Sequence, residues 1–235
     1  MAVISLCSPK GGVGKTTTAI LITSELLSRG YTVTLCDADR QHWATKWAEK
    51  KHVSDKLRLV DGTGLELPAY QKLIDKEAKT SSFVIADIEG SMNEMLSLST
   101  GISDLVLIPL ARAANYDMEG AVKMFDLIEM NNGMYKKPVN YMAFFNIVGA
   151  IRNRFQSQNE EDLQAMGINI MKSRLVERAA YSEYPSFGGL FKDIPTDEVP
   201  SLDKAIKNVE EFVDEILENL RHQKLNENQL LQNAS

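Results

Sequence analysis

The chain has 235 residues, 44% hydrophobic and 25% charged, the balance of an ordinary globular protein able to bury a core without disulfides or a structural metal. Its formal net charge of −6 excludes a uniformly basic surface while leaving room for a local basic patch. Its apolar runs stop short of the ~18 residues a membrane span needs, and two cysteines are too few thiolates for a zinc or iron–sulfur site within one chain.

The opening MAVISLCSPKGG lacks a basic start, a long apolar stretch and a small-residue cleavage site, so it does not read as a signal peptide, and a cytoplasmic location is expected. Apolar runs then recur at Ala2–Cys7, Thr32–Cys36, Leu57–Val60, Phe83–Ile88, Leu105–Pro109 and Val139–Asn146. Several are apolar at nearly every position, as strands buried on both faces require. Cys7 and Cys36 fall inside such runs and read as small buried hydrophobes. Between the runs lie helical patterns; in the first, Ala19, Ile20, Leu26 and Leu27 share a face and Gly30 supplies the stop. This alternation predicts an α/β fold, a mostly parallel twisted sheet with helices on both faces.

The clearest helix spans 201–220, with Ser201 as N-cap, Asp203 in the first turn and apolar residues every three or four positions from Leu202 to Leu220. Its stripe is expected to pack on the chain's own sheet, a dimer seam being the alternative. Residues 1–221 are read as one domain, and 222–235 as a polar, flexible tail.

Residues 8–17 read Ser-Pro-Lys-Gly-Gly-Val-Gly-Lys-Thr-Thr, after the first strand and at the start of the first helix, the context a phosphate-binding loop requires. Small residues allow the tight bend that turns the N–H groups of Gly11, Gly12, Val13, Gly14, Lys15, Thr16 and Thr17 toward an anion. In such a loop Lys15 pairs with β/γ oxygens and the Thr16 hydroxyl coordinates Mg²⁺. Pro9 stands where a standard phosphate loop has glycine, and a standard loop has no need of Lys10.

That departure carries a resemblance: Lys-Gly-Gly-Val-Gly-Lys-Thr-Thr is similar to the deviant Walker A motif of the ParA/MinD family of phosphate-loop ATPases. The resemblance implies that ATP and Mg²⁺ bind here and that two subunits pair across ATP, Lys10 reaching the partner's phosphates as a cation supplied in trans. Cys-Asp-Ala-Asp-Arg-Gln at 36–41 is similar to the family's Asp-x-Asp-Pro-Gln switch, with Arg40 in place of proline. The match implies that Asp39 positions the attacking water and that Asp37 assists near Mg²⁺. Phe83-Val-Ile-Ala-Asp87 resembles a Walker B strand, which makes Asp87 a Mg²⁺ ligand through water, and the Asp-x-x-Gly spacing puts the Gly90 N–H near the γ-phosphate. Asn146, at the end of a strand, either hydrogen-bonds adenine, as the resemblance implies, or is a plain turn residue. The segment 176–188 resembles the family's loop near the base, so the likeness covers about residues 1–220.

Four outputs are compatible with such a site. A ParA-type positioning ATPase binds DNA without sequence preference as its ATP homodimer and is released when a ParB-like partner stimulates hydrolysis, so that it partitions plasmids or chromosomes and can associate with the nucleoid. Arg152 and Arg154, or Lys172, Arg174 and Lys192, are the candidate DNA contacts, with solvated charges as the alternative. A MinD-like membrane ATPase requires a basic amphipathic C-terminal helix, which the tail does not supply, so no membrane partner is expected. A metabolic ATP-dependent ligase is a third reading. In the fourth, Ala44-Thr-Lys-Trp47 and the 36–41 segment resemble ParA-like accessory proteins that recruit a relaxase complex in conjugative or T-DNA transfer. Trp43 and Trp47 lie at i, i+4, either facing a partner or anchoring the core.

Overall fold

The structure is a computed structural model; it describes all residues except 91–93, 112–114, 135–137, 150–153 and 234–235. The six apolar runs form one six-stranded sheet in the order β3-β2-β4-β1-β5-β6: β1 Ala2–Leu6, β2 Val33–Ala38, β3 Leu57–Asp61, β4 Phe83–Ile88, β5 Leu105–Ala111 and β6 Tyr141–Asn146. Every pairing is parallel. Each residue of β1, β2 and β4 is buried, which explains why their sequences are apolar throughout and do not alternate.

Helices cover both faces. One face carries α1 (Lys15–Ser28), α2 (Trp43–Lys50), α7 (Ala179–Phe187) and α8 (Leu202–Asn233), whose apolar residues join those of the sheet in one core. The other carries α3 (Leu67–Ala78), α4 (Glu94–Ile102), α5 (Asn115–Met134) and α6 (Arg154–Ala165) over a second core. Ile20, Leu21, Ile22 and Leu26 of α1 are each only 1% exposed. Each such side chain contributes about 1.5–3 kcal/mol by leaving water, so α1 is held by burial as much as by propensity. Its end is defined by Gly30, at φ +85°, whose N–H donates to the Leu27 carbonyl while Tyr31 N–H donates to that of Leu26.

The last helix departs from expectation. It continues past Leu220 to Asn233 and takes in most of the segment read as a flexible polar tail. Its apolar stripe packs on the chain's own core, with Phe212 edge-on to Phe144 of β6 at 4.9 Å. Ser201 precedes it at φ +56°, and its carbonyl accepts the Ala205 N–H. Arg29 of α1 ties the two helices together, pairing with Glu25 at 2.6 Å and with Asp214 at 2.5 Å.

Alongside β6 runs an irregular segment that makes single parallel bridges, Ala143 to Ile170 and Val148 to Val176. At the opposite edge β3 is only partly buried and carries Arg58 and Asp61. The strand order places β1 in the middle, with β4 and β5 on either side, so the connection from β4 to β5 passes over it. In open parallel sheets that reversal leaves a crevice at the carboxyl ends of the strands, where ligands bind. Residues 7–14 leave β1 at that end.

Candidate nucleotide site

The loop from Ser8 to Gly14 bends where its glycines permit, with Gly12 at φ +74° and Gly14 at φ +83°. A Cβ on Gly11 or Gly12 would meet nothing within 4 Å, so the crest of the loop faces open space. Helix α1 begins directly at Lys15, and the N–H groups of its first turn have no partners within the helix. The 14-residue helix behind them puts the positive end of its dipole at the same place.

Lys15 is buried at 6% exposure, and its ammonium donates to the Lys10 carbonyl of its own loop at 3.1 Å. Burial pulls its pKa below the ordinary lysine value, with Asp87 and then Asp39 opposing the fall. Asp87 at the end of β4 is fully buried, and neither carboxylate oxygen has a hydrogen-bond partner. Its pKa is pushed up to about 7, chiefly by burial and further by Asp37 and Asp39; the neighbouring Thr16 hydroxyl and Lys15 hold the rise in check. A buried ammonium bonded to a loop carbonyl, near a buried carboxylate whose oxygens accept no hydrogen bond of good geometry, is an arrangement that anionic oxygens and a divalent cation together would relieve. Among the described residues no three His, Cys, Asp or Glu side chains cluster as a self-sufficient metal site, so a cation here would need ligands from its anion as well.

Gly90 packs directly on the loop. A Cβ there would come within 2.7 Å of both the Lys15 ammonium and the Lys10 carbonyl and within 2.9 Å of the Gly11 nitrogen. The Asp-x-x-Gly spacing thus brings Gly90, after the end of β4, against the phosphate loop. Lys10 is exposed on the crest, with its N–H donating to the Ser8 hydroxyl at 3.3 Å.

Asp37 and Asp39 end β2. Asp37 is fully buried, and its oxygens are engaged within the chain: one accepts the Asp39 N–H at 3.3 Å, the other accepts the Thr45 N–H at 2.9 Å and the Thr45 hydroxyl at 2.8 Å. Sequence reasoning missed Thr45, because nothing in its spacing marks a clamp between a strand end and the next helix. Asp39 is half-buried and accepts the Gln41 N–H at 2.9 Å. Arg40, which stands where proline was expected, reaches across to Glu89 beyond β4 at 3.6 Å and lines a groove of about 480 Å³ beside the site.

Asn146 is buried at 1% exposure; its amide donates to the Val13 carbonyl at 2.7 Å, while its Oδ1 has no partner. It is therefore a buttress of the phosphate loop, and a substitution at Gly14 would collide with it. Of the expected DNA contacts, Arg152 lies outside the described residues, whereas Arg154, Lys172 and Lys192 are exposed. Arg174 is largely covered, 3.7 Å from Glu160 and lying over the Phe145 ring. The two tryptophans divide: Trp47 is fully buried in the core and Trp43 is 54% exposed. Both cysteine thiols are buried, and burial pushes each up to about 12.

A glycine-rich loop, a buried lysine, a threonine and an unpartnered aspartate at the carboxyl edge of a parallel sheet define a phosphate-loop nucleotide-binding fold. The pattern of the CobQ/CobB/MinD/ParA nucleotide-binding domain matches residues 4–191, and the chain belongs to that family. It is 30% identical over 220 residues to Protein ParA of Rhizobium radiobacter, covering 94% of this chain and 98% of that protein. Protein virC1 of Rhizobium rhizogenes is 31% identical over 115 residues, 46% of this chain and 48% of that protein. Among solved structures, an ATP complex of Cyanothece McdA carrying a D38A substitution has a TM-score of 0.70 at 16% identity, with 90% of this chain and 95% of that one covered. No helix among the described residues is long and apolar enough to cross a membrane.

Proposed function

We propose that the chain is a Mg²⁺-dependent ATPase of the ParA type, whose ATP-bound homodimer binds DNA without sequence preference and lets go when a protein partner stimulates hydrolysis. The observation that carries the nucleotide part is the buried Lys15 ammonium lying near the buried Asp87 carboxylate, neither of whose oxygens is hydrogen-bonded, at the mouth of the loop. Thr16 and Asp87 are the residues to hold Mg²⁺, which when bound neutralises charge on the phosphate oxygens. The N–H groups of the loop and Lys15 hold the β- and γ-phosphates, and Asn146 keeps the loop in register through Val13. Asp39 orients water; Asp37, locked by Thr45, acts by fixing the end of β2 and the start of α2.

The exposed position of Lys10 supports its role toward a second subunit. A cation presented in trans stabilises charge that builds on the transferred phosphoryl group, and it makes pairing depend on ATP. The partner is a ParB-like or relaxosome-type protein, and the similarity to Protein ParA along nearly the whole chain favours the former.

The test is light scattering coupled to gel filtration in ADP, in ATP, and in ATP with arbitrary-sequence duplex. Dimers are expected in ATP only, and DNA binding only by dimers. Lys10→Ala should bind ATP and remain monomeric; ATP-dependent dimers of that variant would refute the trans assignment. A ligase is the outcome if turnover depends on a small carboxylate and ignores DNA.

A further inference from the structure

On the first face of the sheet, α2 presents an aromatic and basic surface that the nucleotide site does not use. Trp43 is exposed, and the Lys46 ammonium sits 4.4 Å from its ring centroid. Lys50 and Lys51 follow at the end of the helix, both exposed, the Lys50 ammonium reaching the Ser186 carbonyl at 3.4 Å. Among the described residues none of these three lysines is within ion-pair distance of an acid, and Glu49 is the one acidic residue of α2. A groove of about 360 Å³ opens here, bounded by Trp43, Lys46, Trp47, Glu49 and Lys50 on one side and by Pro185 and Ser186 of α7 on the other. In a chain of net charge −6, the two lysines of this short helix and Lys51 just beyond it, set against one glutamate, are a local reversal of sign.

We propose that this face of α2, with its rim at Pro185 and Ser186, binds the phosphate backbone of duplex DNA through Lys46, Lys50 and Lys51, with Trp43 packed against the strand. The inference rests on the DNA-binding reading above and adds a contact surface to it. The charge pattern calls for a polyanion, and ammonium groups spaced along a helix meet successive phosphates. One exposed indole does not make the series of stacking platforms that single strands use, so the duplex is the better fit. Arg174, by contrast, already has Glu160 and Phe145 as neighbours. The face is also joined to the site: Thr45, in the first turn of α2, holds Asp37, so a movement at the end of β2 is felt at Trp43 and Lys46.

The experiment is fluorescence anisotropy of a labelled 30-base-pair duplex of arbitrary sequence, with full-length protein, Mg²⁺ and a slowly hydrolysed ATP analogue, between 50 and 200 mM salt. The Lys46→Gln/Lys50→Gln/Lys51→Gln variant should bind at least about 10-fold more weakly at 100 mM salt, with a log–log salt slope shallower by roughly 2 to 3. Its nucleotide affinity and thermal midpoint should match the wild type. Intrinsic emission gives a second readout that needs no lysine change: DNA should alter it in the wild type and leave it unaltered in Trp43→Phe. Wild-type protein that ignores DNA in the ATP state would overturn both the function and this face. Wild-type binding that the triple variant retains in full, or an emission change that survives Trp43→Phe, would overturn the face alone. So would tighter binding to a 30-nucleotide oligothymidylate, or lysine-dependent sedimentation with phosphatidylglycerol vesicles in place of DNA binding.

Discussion

Gly90→Ala isolates the contact between the end of β4 and the phosphate loop. The added methyl would stand 2.7 Å from the Lys15 ammonium and the Lys10 carbonyl and 2.9 Å from the Gly11 nitrogen, so each neighbour must retreat by roughly half an ångström or more. The ammonium can swing aside, but the other two atoms are backbone of the loop and move only if the loop moves. The displacement costs Lys15 its bond to the Lys10 carbonyl and turns the loop away from the phosphates. A hydrogen bond from a charged donor is worth about 1.5–3 kcal/mol, so ATP affinity should fall about 10- to 100-fold. Titration with a fluorescent ATP analogue in Mg²⁺ measures this directly, and thermal unfolding without nucleotide separates loop damage from loss of fold. An affinity within twofold of wild type would refute the claim that Gly90 must be small because it presses on the loop.

Three further outcomes follow from the geometry. Asp37→Asn should destabilise the protein by about 1–3 kcal/mol, because a buried acceptor of three bonds becomes in part a donor facing donors; denaturant unfolding of this variant and of Thr45→Val would show the two losses to be non-additive. Arg29→Ala should cost about 1 kcal/mol in the same assay, since it leaves the mostly covered Glu25 without its partner, while the pair with the more exposed Asp214 adds little. Cys7 and Cys36, with thiols pushed up to about 12, should resist iodoacetamide at pH 8.5 and react only in denaturant. Because these thiols ionise later in the folded chain than an exposed thiol does, stability gained on folding erodes as pH rises above about 9 toward 12, and native labelling at pH 8.5 would refute their burial.

The strands were legible because burial on both faces leaves no polar positions to blur them, as Phe83–Ile88 illustrates. The phosphate loop was legible for a different reason: its chemistry is local, and eight consecutive residues contain nearly all of it. What the sequence hid depends on distant partners. Asn146 meets Val13 across 133 positions, so its buttressing role has no local signature. Asp37 reads as a catalytic helper until Thr45 is seen to occupy one of its oxygens twice. Arg174 reads as a candidate DNA contact or a solvated charge, and nothing local announces Glu160 and Phe145 beside it. The helix expected to stop at Leu220 runs on because residues 221–233 contain neither glycine nor proline to end it, although they lack the apolar stripe that announced its first half.

The two lateral margins of the sheet are finished differently. On the β6 side, the Ala143 N–H donates to the Asn169 carbonyl, and the Met171 and Leu175 N–H groups donate back to Ala143 and Phe145, so that margin is occupied by the chain's own backbone. On the β3 side, Arg58 is paired with Glu77 at 2.6 Å and stands as a charge against any incoming ribbon. Neither margin invites another chain to extend the sheet. The homodimer proposed above would thereby be directed to loops and helix ends, which can engage and disengage, and away from edge-to-edge growth, which would be hard to reverse.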